Sequence, residues 1–119
     1  MIKAMALLVA IVVLFGCATF SNETVYANER KINGFSIGMT KEAVMQTMGS
    51  KPIISEGQEF NNPYRSEVIT GVDKKYEVLY YATDVNVNDG IISDNEVTPV
   101  VFLDGKLIGW GWDFMQTIR

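Results

Sequence analysis

The stretch VTPVVFLDGKLIGWGW, residues 97–112, decides the fold. Asp104-Gly105 lies between two runs of β-forming residues, and Asp-Gly suits the two left-handed positions of a tight hairpin turn. A two-residue turn there sets Leu103 opposite Lys106, Phe102 opposite Leu107 and Val101 opposite Ile108. Side chains alternate between faces along a strand. One face of this hairpin therefore receives Val97, Pro99, Val101, Leu103, Ile108, Trp110 and Trp112. The other receives Thr98, Val100, Phe102 and Leu107, with Gly109 and Gly111 forming a flat strip. Pro99 has no N–H to give to the ladder opposite Trp110, so a bulge or the end of the ladder is expected there.

Upstream, SEVIT (66–70) and KYEVLYYAT (75–83) are rich in Val, Ile, Thr and Tyr, and GVDK between them has turn chemistry. Before these strands, GFSIGMTKEAVMQTMGSKP (34–52) carries the punctuation of a helix. Thr40 is a good N-cap, and Glu42 falls in the first turn, where the helix dipole favours an anion. Met39 and Val44 are spaced for a hydrophobic staple, Gly49 suits the C′ position, and Pro52 blocks any continuation. The spacing predicts a helix over about residues 41–48, with Val44, Met45 and Met48 as its apolar stripe.

The reading is an α+β domain over 32–119: one or two short N-terminal helices on an antiparallel sheet of three to four strands. Both faces of that sheet are apolar, and one helix covers only one of them. Either residues 53–64 cover the rest as a loop or second helix, or an aromatic surface around Trp110, Trp112, Val101 and Ile108 is left to dock a partner.

The N-terminus reads as a processing signal. After Lys3, the run Ala4–Phe15 holds 12 apolar residues. A membrane-spanning helix needs about 20, whereas the apolar core of a secretory signal needs about 7–15. Leu14-Phe15-Gly16-Cys17 then resembles a bacterial lipobox. That resemblance implies cleavage before Cys17, diacylglycerol on its thiol, and an acylated new N-terminus. Residues 1–16 are thus expected to be a lipoprotein signal peptide and 17–31, polar and aperiodic, a flexible tether. Ala18 after the cysteine points to the outer membrane, with the domain facing the periplasm. An inner-membrane anchor, or a soluble periplasmic or secreted form cut after Ala18, are the alternatives.

The chain carries 10 basic and 14 acidic residues, and loss of Lys3 with the leader takes its net charge from −4 to −5. Such a balance offers no clustered Lys and Arg for nucleic-acid phosphates. There is no His at all, which removes the Ser-His-Asp and Cys-His triads and the commonest zinc ligand. With Cys17 committed to lipid, the chain is read as non-enzymatic and without a cofactor, its partners being the membrane and an envelope protein. One alternative is a small-ligand or calcium module in DVNVNDGIISDNE (84–96), where Asp84, Asn86, Asn88 and Glu96 are spaced as oxygen ligands. Its glycine, Gly90, arrives one position late for a calcium loop, and the competing reading is a turn-rich connection.

GMTKEAVMQTMGSKP resembles the G-M-T-x-x-x-V…G-x-P segment of the SmpA/OmlA (BamE-like) outer-membrane lipoproteins. With YEVLYYAT and EVTPVVFLDGKLIGWG, the chain also resembles an uncharacterised family of small Gram-negative lipoproteins. The first resemblance implies two helices packed on a three-stranded antiparallel sheet and a partner-binding role in outer-membrane β-barrel assembly. The second implies a fold but no activity.

Overall fold

The computed structural model describes residues 23–84 and 91–119. Within them the chain forms three α-helices and two antiparallel sheets, an α+β fold. The order is α1 (Glu23–Ile32), α2 (Lys41–Met48), β1 (Ile53–Ser55), β2 (Gln58–Phe60), β3 (Arg65–Thr70), β4 (Lys75–Ala82), a 3-10 turn (Asp94–Glu96), β5 (Val97–Leu103), β6 (Lys106–Trp110) and α3 (Trp112–Ile118). β1 and β2 form a small hairpin, and the main sheet runs β3-β4-β5-β6.

Short-range chemistry accounts for α2. The Thr40 hydroxyl accepts a hydrogen bond from the Ala43 N–H at 3.1 Å, and Gly49, at φ 70°, donates its N–H to the Met45 carbonyl. Val44 and Met48 are buried, while Met45, expected in the apolar stripe, is 44% exposed.

β4 from Val78 onward and β5 lie in the middle of the sheet and are buried on both faces, hence their nearly unbroken apolar sequence. Val78, Tyr80 and Ala82 of β4 join Val97 and Val101 of β5 in one layer. Leu79 and Tyr81 join Val100 and Phe102 in the other. The first layer is closed by Val25 of α1, Ile53 of β1 and Met115 of α3. The second is closed by Val44 and Met48 of α2, with Ile32 and Phe35. Both faces are therefore covered at the centre of the sheet, and residues 53–60 contribute to this as a hairpin rather than a helix or loop.

Three expectations need correction. The tether expected over 17–31 is helical from Glu23, and α1 is part of the packed domain. Its Val25 is fully buried, and its Asn28 amide donates to Asn62 Oδ1 at 2.8 Å and to the Ala82 carbonyl at 2.9 Å. Trp112 opens α3 instead of extending the strand.

The hairpin register also departs from the simple one. Leu103 pairs with Lys106 and Phe102 with Leu107, but Val101 then faces Gly109 and Val100 faces Trp110. Ile108 is the extra residue of a bulge, two pairs nearer the turn than Pro99. The ladder itself ends beside Pro99, whose carbonyl accepts from the Gly111 N–H at 2.9 Å.

Candidate interaction surface

The bulge rearranges the aromatic end of the molecule. After one extra residue, every later side chain changes face. Trp110 accordingly turns to the α2 layer, where its ring meets Phe35 edge-on with centroids 5.7 Å apart. Trp112 belongs to the opposite layer, against the Tyr80 ring at 5.8 Å, and its indole N–H donates to the Val97 carbonyl at 2.9 Å. Val101 is fully buried and Ile108 is partly buried in the Trp112 layer. The four residues expected to form one docking face are thus divided between two layers and serve as packing. Cys17 lies outside the described residues.

The loop expected to offer oxygen ligands is only partly described, since Asn86 and Asn88 fall outside. Glu96 is 5% exposed, and its Oε1 accepts from the Ser93 N–H at 2.9 Å and from Ser93 Oγ at 3.3 Å. Its backbone carbonyl accepts from the N–H groups of Thr83 and Asp84. Glu96 therefore closes the base of the loop. Among the described residues, no group of three or more His, Cys, Asp or Glu side chains is arranged to hold a metal ion.

The most polar cluster of the sheet is built on β3. The Arg65 guanidinium lies 3.7 Å above the Tyr80 ring, with Nη1 3.3 Å from Glu67 Oε1 and Nη2 3.0 Å from Asp94 Oδ1. The Tyr80 hydroxyl donates to the same Glu67 oxygen. Arg65 thus fastens the 3-10 turn to the sheet edge, with its charge matched from both sides. Burial, reinforced by the Glu67 carboxylate, pushes the Tyr80 phenol up to about 12. Tyr81, on the other face, is pushed up to about 12 by burial alone. Among the described residues, its hydroxyl has no hydrogen-bond partner.

These two neighbours are expected to respond oppositely to loss of the hydroxyl. Tyr81→Phe removes an unpaired buried polar group and should leave stability unchanged or raise it by up to about 1 kcal/mol. Tyr80→Phe should cost about 1 kcal/mol, because half-exposed Glu67 regains water in exchange. Urea unfolding at neutral pH measures both. The phenols ionise near 10 in the unfolded chain and near 12 in the fold. Their raised values mean that the stability tied to the neutral form is complete below pH 10 and is lost as pH rises through 12. Tyr81→Phe should make that alkaline loss less steep.

The unfilled part of the structure lies beyond α2. A helix with its side chains is about 10 Å across and covers about two strands spaced about 4.8 Å apart. The buried cluster beneath α2 draws on β4, β5 and β6 but includes no residue of β3. What remains is a groove of about 610 Å³, lined among others by Lys41, Met45, Val68, Glu77 and Leu79. Val68 is 60% exposed and Met45 44%. Lys41 Nζ lies 3.2 Å from Glu77 Oε2.

The two edges of the sheet differ. β6 is covered by the segment before α2: Gly38 N–H donates to the Leu107 carbonyl, Leu107 N–H to Met39 and Lys41 N–H to Gly105, at 2.7–2.9 Å. Among the described residues, no strand pairs with the outer side of β3. Sequence reasoning missed this edge. Its one signal was the pair of charges, Arg65 and Glu67, at alternate positions of an otherwise β-rich run, a frequent device of edge strands.

The chain belongs to the family described as "Protein of unknown function (DUF3192)", whose model matches residues 18–117. No curated protein and no solved structure matches it.

Proposed function

We propose that this chain is a lipid-anchored, non-catalytic interaction module of the cell envelope. In this reading Cys17 carries the lipid, the outer membrane holds it, and the folded domain serves assembly or integrity of that membrane from the periplasmic side. The carrying observation is the open β3 strip of the sheet beside α2, where exposed Val68 and Met45 flank the Lys41–Glu77 pair. A groove that sets Val68, Met45 and Leu79 beside the Lys41–Glu77 pair, mixing apolar and charged groups, fits a protein surface better than a small reactive molecule. The absence of His from the whole sequence also favours binding over acid–base chemistry. The lipobox resemblance at residues 14–17 supports the anchor. The resemblance of residues 38–52 to BamE-like lipoproteins supports an accessory role in assembly.

Two measurements test the reading. A photo-crosslinking residue at Met45 or Glu77, in intact cells, should capture envelope proteins, whereas one at Ile54, outside the groove, should not. Equal capture from all three positions would remove the groove from consideration. Labelled fatty acid should enter the wild type and not Cys17→Ser; equal labelling would overturn the anchor.

A further inference from the structure

We propose that the chain pairs with a second copy of itself through β3, edge to edge and antiparallel, with Val68 opposite Val68 of the second copy. The hydrogen-bond phase of β3 is the first step. The Gly71 N–H donates to the Lys74 carbonyl at 2.7 Å, closing the β3–β4 turn. Stepping back by two along the register, Ile69–Tyr76, Glu67–Val78 and Arg65–Tyr80 are the pairs that exchange bonds with β4. The backbone groups of Ser66, Val68 and Thr70 therefore point to the open edge, and their side chains are exposed on the groove face.

Several symmetric registers bring this edge against itself. Centring on Ile69 sets Val68 against Thr70 but carries Ser66 past the strand end to Val72. Centring on Ser66 sets Val68 across from Tyr64, whose N–H is already given to the Tyr80 carbonyl at 2.8 Å. Centring on Glu67 sets two like carboxylates opposite each other, which is destabilising. Centring on Val68 engages Ser66, Val68 and Thr70 together, each finding an outward-facing residue of the second copy. It pairs Ser66 with Thr70 in both directions, a favourable hydroxyl pairing, and covers the 60% exposed Val68 with its twin. Glu67 then meets Ile69 with its charge already matched by Arg65 at 3.3 Å.

The product is one continuous sheet, with the two grooves meeting along the symmetry axis. Beyond Val68, each groove keeps Met45, Leu79 and the Lys41–Glu77 pair open to a different protein, so self-pairing does not depend on the function proposed above. A membrane anchor would favour it by confining copies to one surface, as intramolecular linkage raises effective concentration.

Cysteine placement in the full chain, expressed in cells and mildly oxidised, tests the register. In the Val68-centred pairing, the two Cα atoms at position 68 lie about 5.5 Å apart, within disulfide reach. Val68→Cys should give a disulfide-linked homodimer at least tenfold more abundant than Ser66→Cys or Thr70→Cys alone, and the Ser66→Cys/Thr70→Cys double variant should also crosslink. The wild type, with Cys17 only, is the control. Val68→Lys sets two like charges at the axis and should convert the detergent-purified lipidated dimer to monomer by light scattering, with its unfolding transition retained. A monomeric wild type, a Val68→Cys chain that stays monomeric, preferential crosslinking at Ser66, or a disulfide to a different protein would each overturn self-pairing. Loss of crosslinking at Met45 with the Val68→Cys dimer intact would fault the groove reading alone.

Discussion

Asn28→Ala is expected to lower the unfolding free energy by about 2–4 kcal/mol, far more than its place in a polar helix suggests. Removing one partner of a buried hydrogen bond costs about 1–3 kcal/mol for each group left without another. Asn28 is 1% exposed and serves two such groups, the Ala82 carbonyl and the side-chain oxygen of Asn62. Asn62 is itself 4% exposed, and its amide returns a longer bond to Asn28 Oδ1 at 3.4 Å. The pair ties α1 to the end of β4 and to the segment leading into β3. Urea unfolding measures the loss. A double-mutant cycle with Asn62→Ala should show the two substitutions costing less together than their separate effects predict, since each alone orphans the other amide. Additive costs would mean that water reaches the site and that α1 is held by Val25 and Ile32 alone.

That interaction also explains why α1 was not legible in the sequence. The buried positions of ETVYANERKI are Thr24, Val25, Asn28 and Ile32, one helical face with polar residues at two of its four places. A periodicity search looks for apolar side chains and sees only Val25 and Ile32, seven residues apart. The contact that makes Asn28 a core residue comes from Asn62, 34 positions away. The β1–β2 hairpin was hidden for a related reason. Its turn places Glu56 at φ 51° and Gly57 at φ 78°, and glutamate does not announce a left-handed position as asparagine or aspartate does. Where the determinants are local the reading succeeded. Thr40 and Gly49 bound α2, and Asp104 at φ 53° with Gly105 at φ 77° turn the β5–β6 hairpin.

The candidate surface was the least legible part, because it is defined by what α2 leaves uncovered. Trp110 and Trp112 drew attention through their size, yet both are spent on packing against Phe35 and Tyr80. Val68 is an ordinary strand residue until the strand order places β3 at an edge and the length of α2 leaves that edge bare. Burying the large aromatics leaves a modest valine as the exposed apolar group of the sheet edge. An exposed tryptophan pair in the same place would be a standing liability for aggregation.

Gly109→Val is expected to destabilise the domain by about 1–3 kcal/mol through overpacking, and to do so by dislodging α3. A Cβ at residue 109 would lie 2.6–2.7 Å from three carbons of the Phe114 ring, closer than carbon atoms can approach. Gly109 is opposite Val101 in the bulged register, so the bulge turns this bare backbone toward α3 and Phe114 fills the space. The same contact makes the register self-consistent. Without the extra residue Ile108, Gly109 would face the α2 layer, and Phe114 would have no flat surface on which to rest. Gly109→Ala should be milder but of the same sign. Combined with Phe114→Ala, it should cost less than the two single substitutions predict, because the smaller side chain frees the space that the new methyl needs. Thermal or urea unfolding of the four chains completes the cycle. Additivity within about 0.5 kcal/mol would show that Gly109 is chosen for its backbone and not for Phe114.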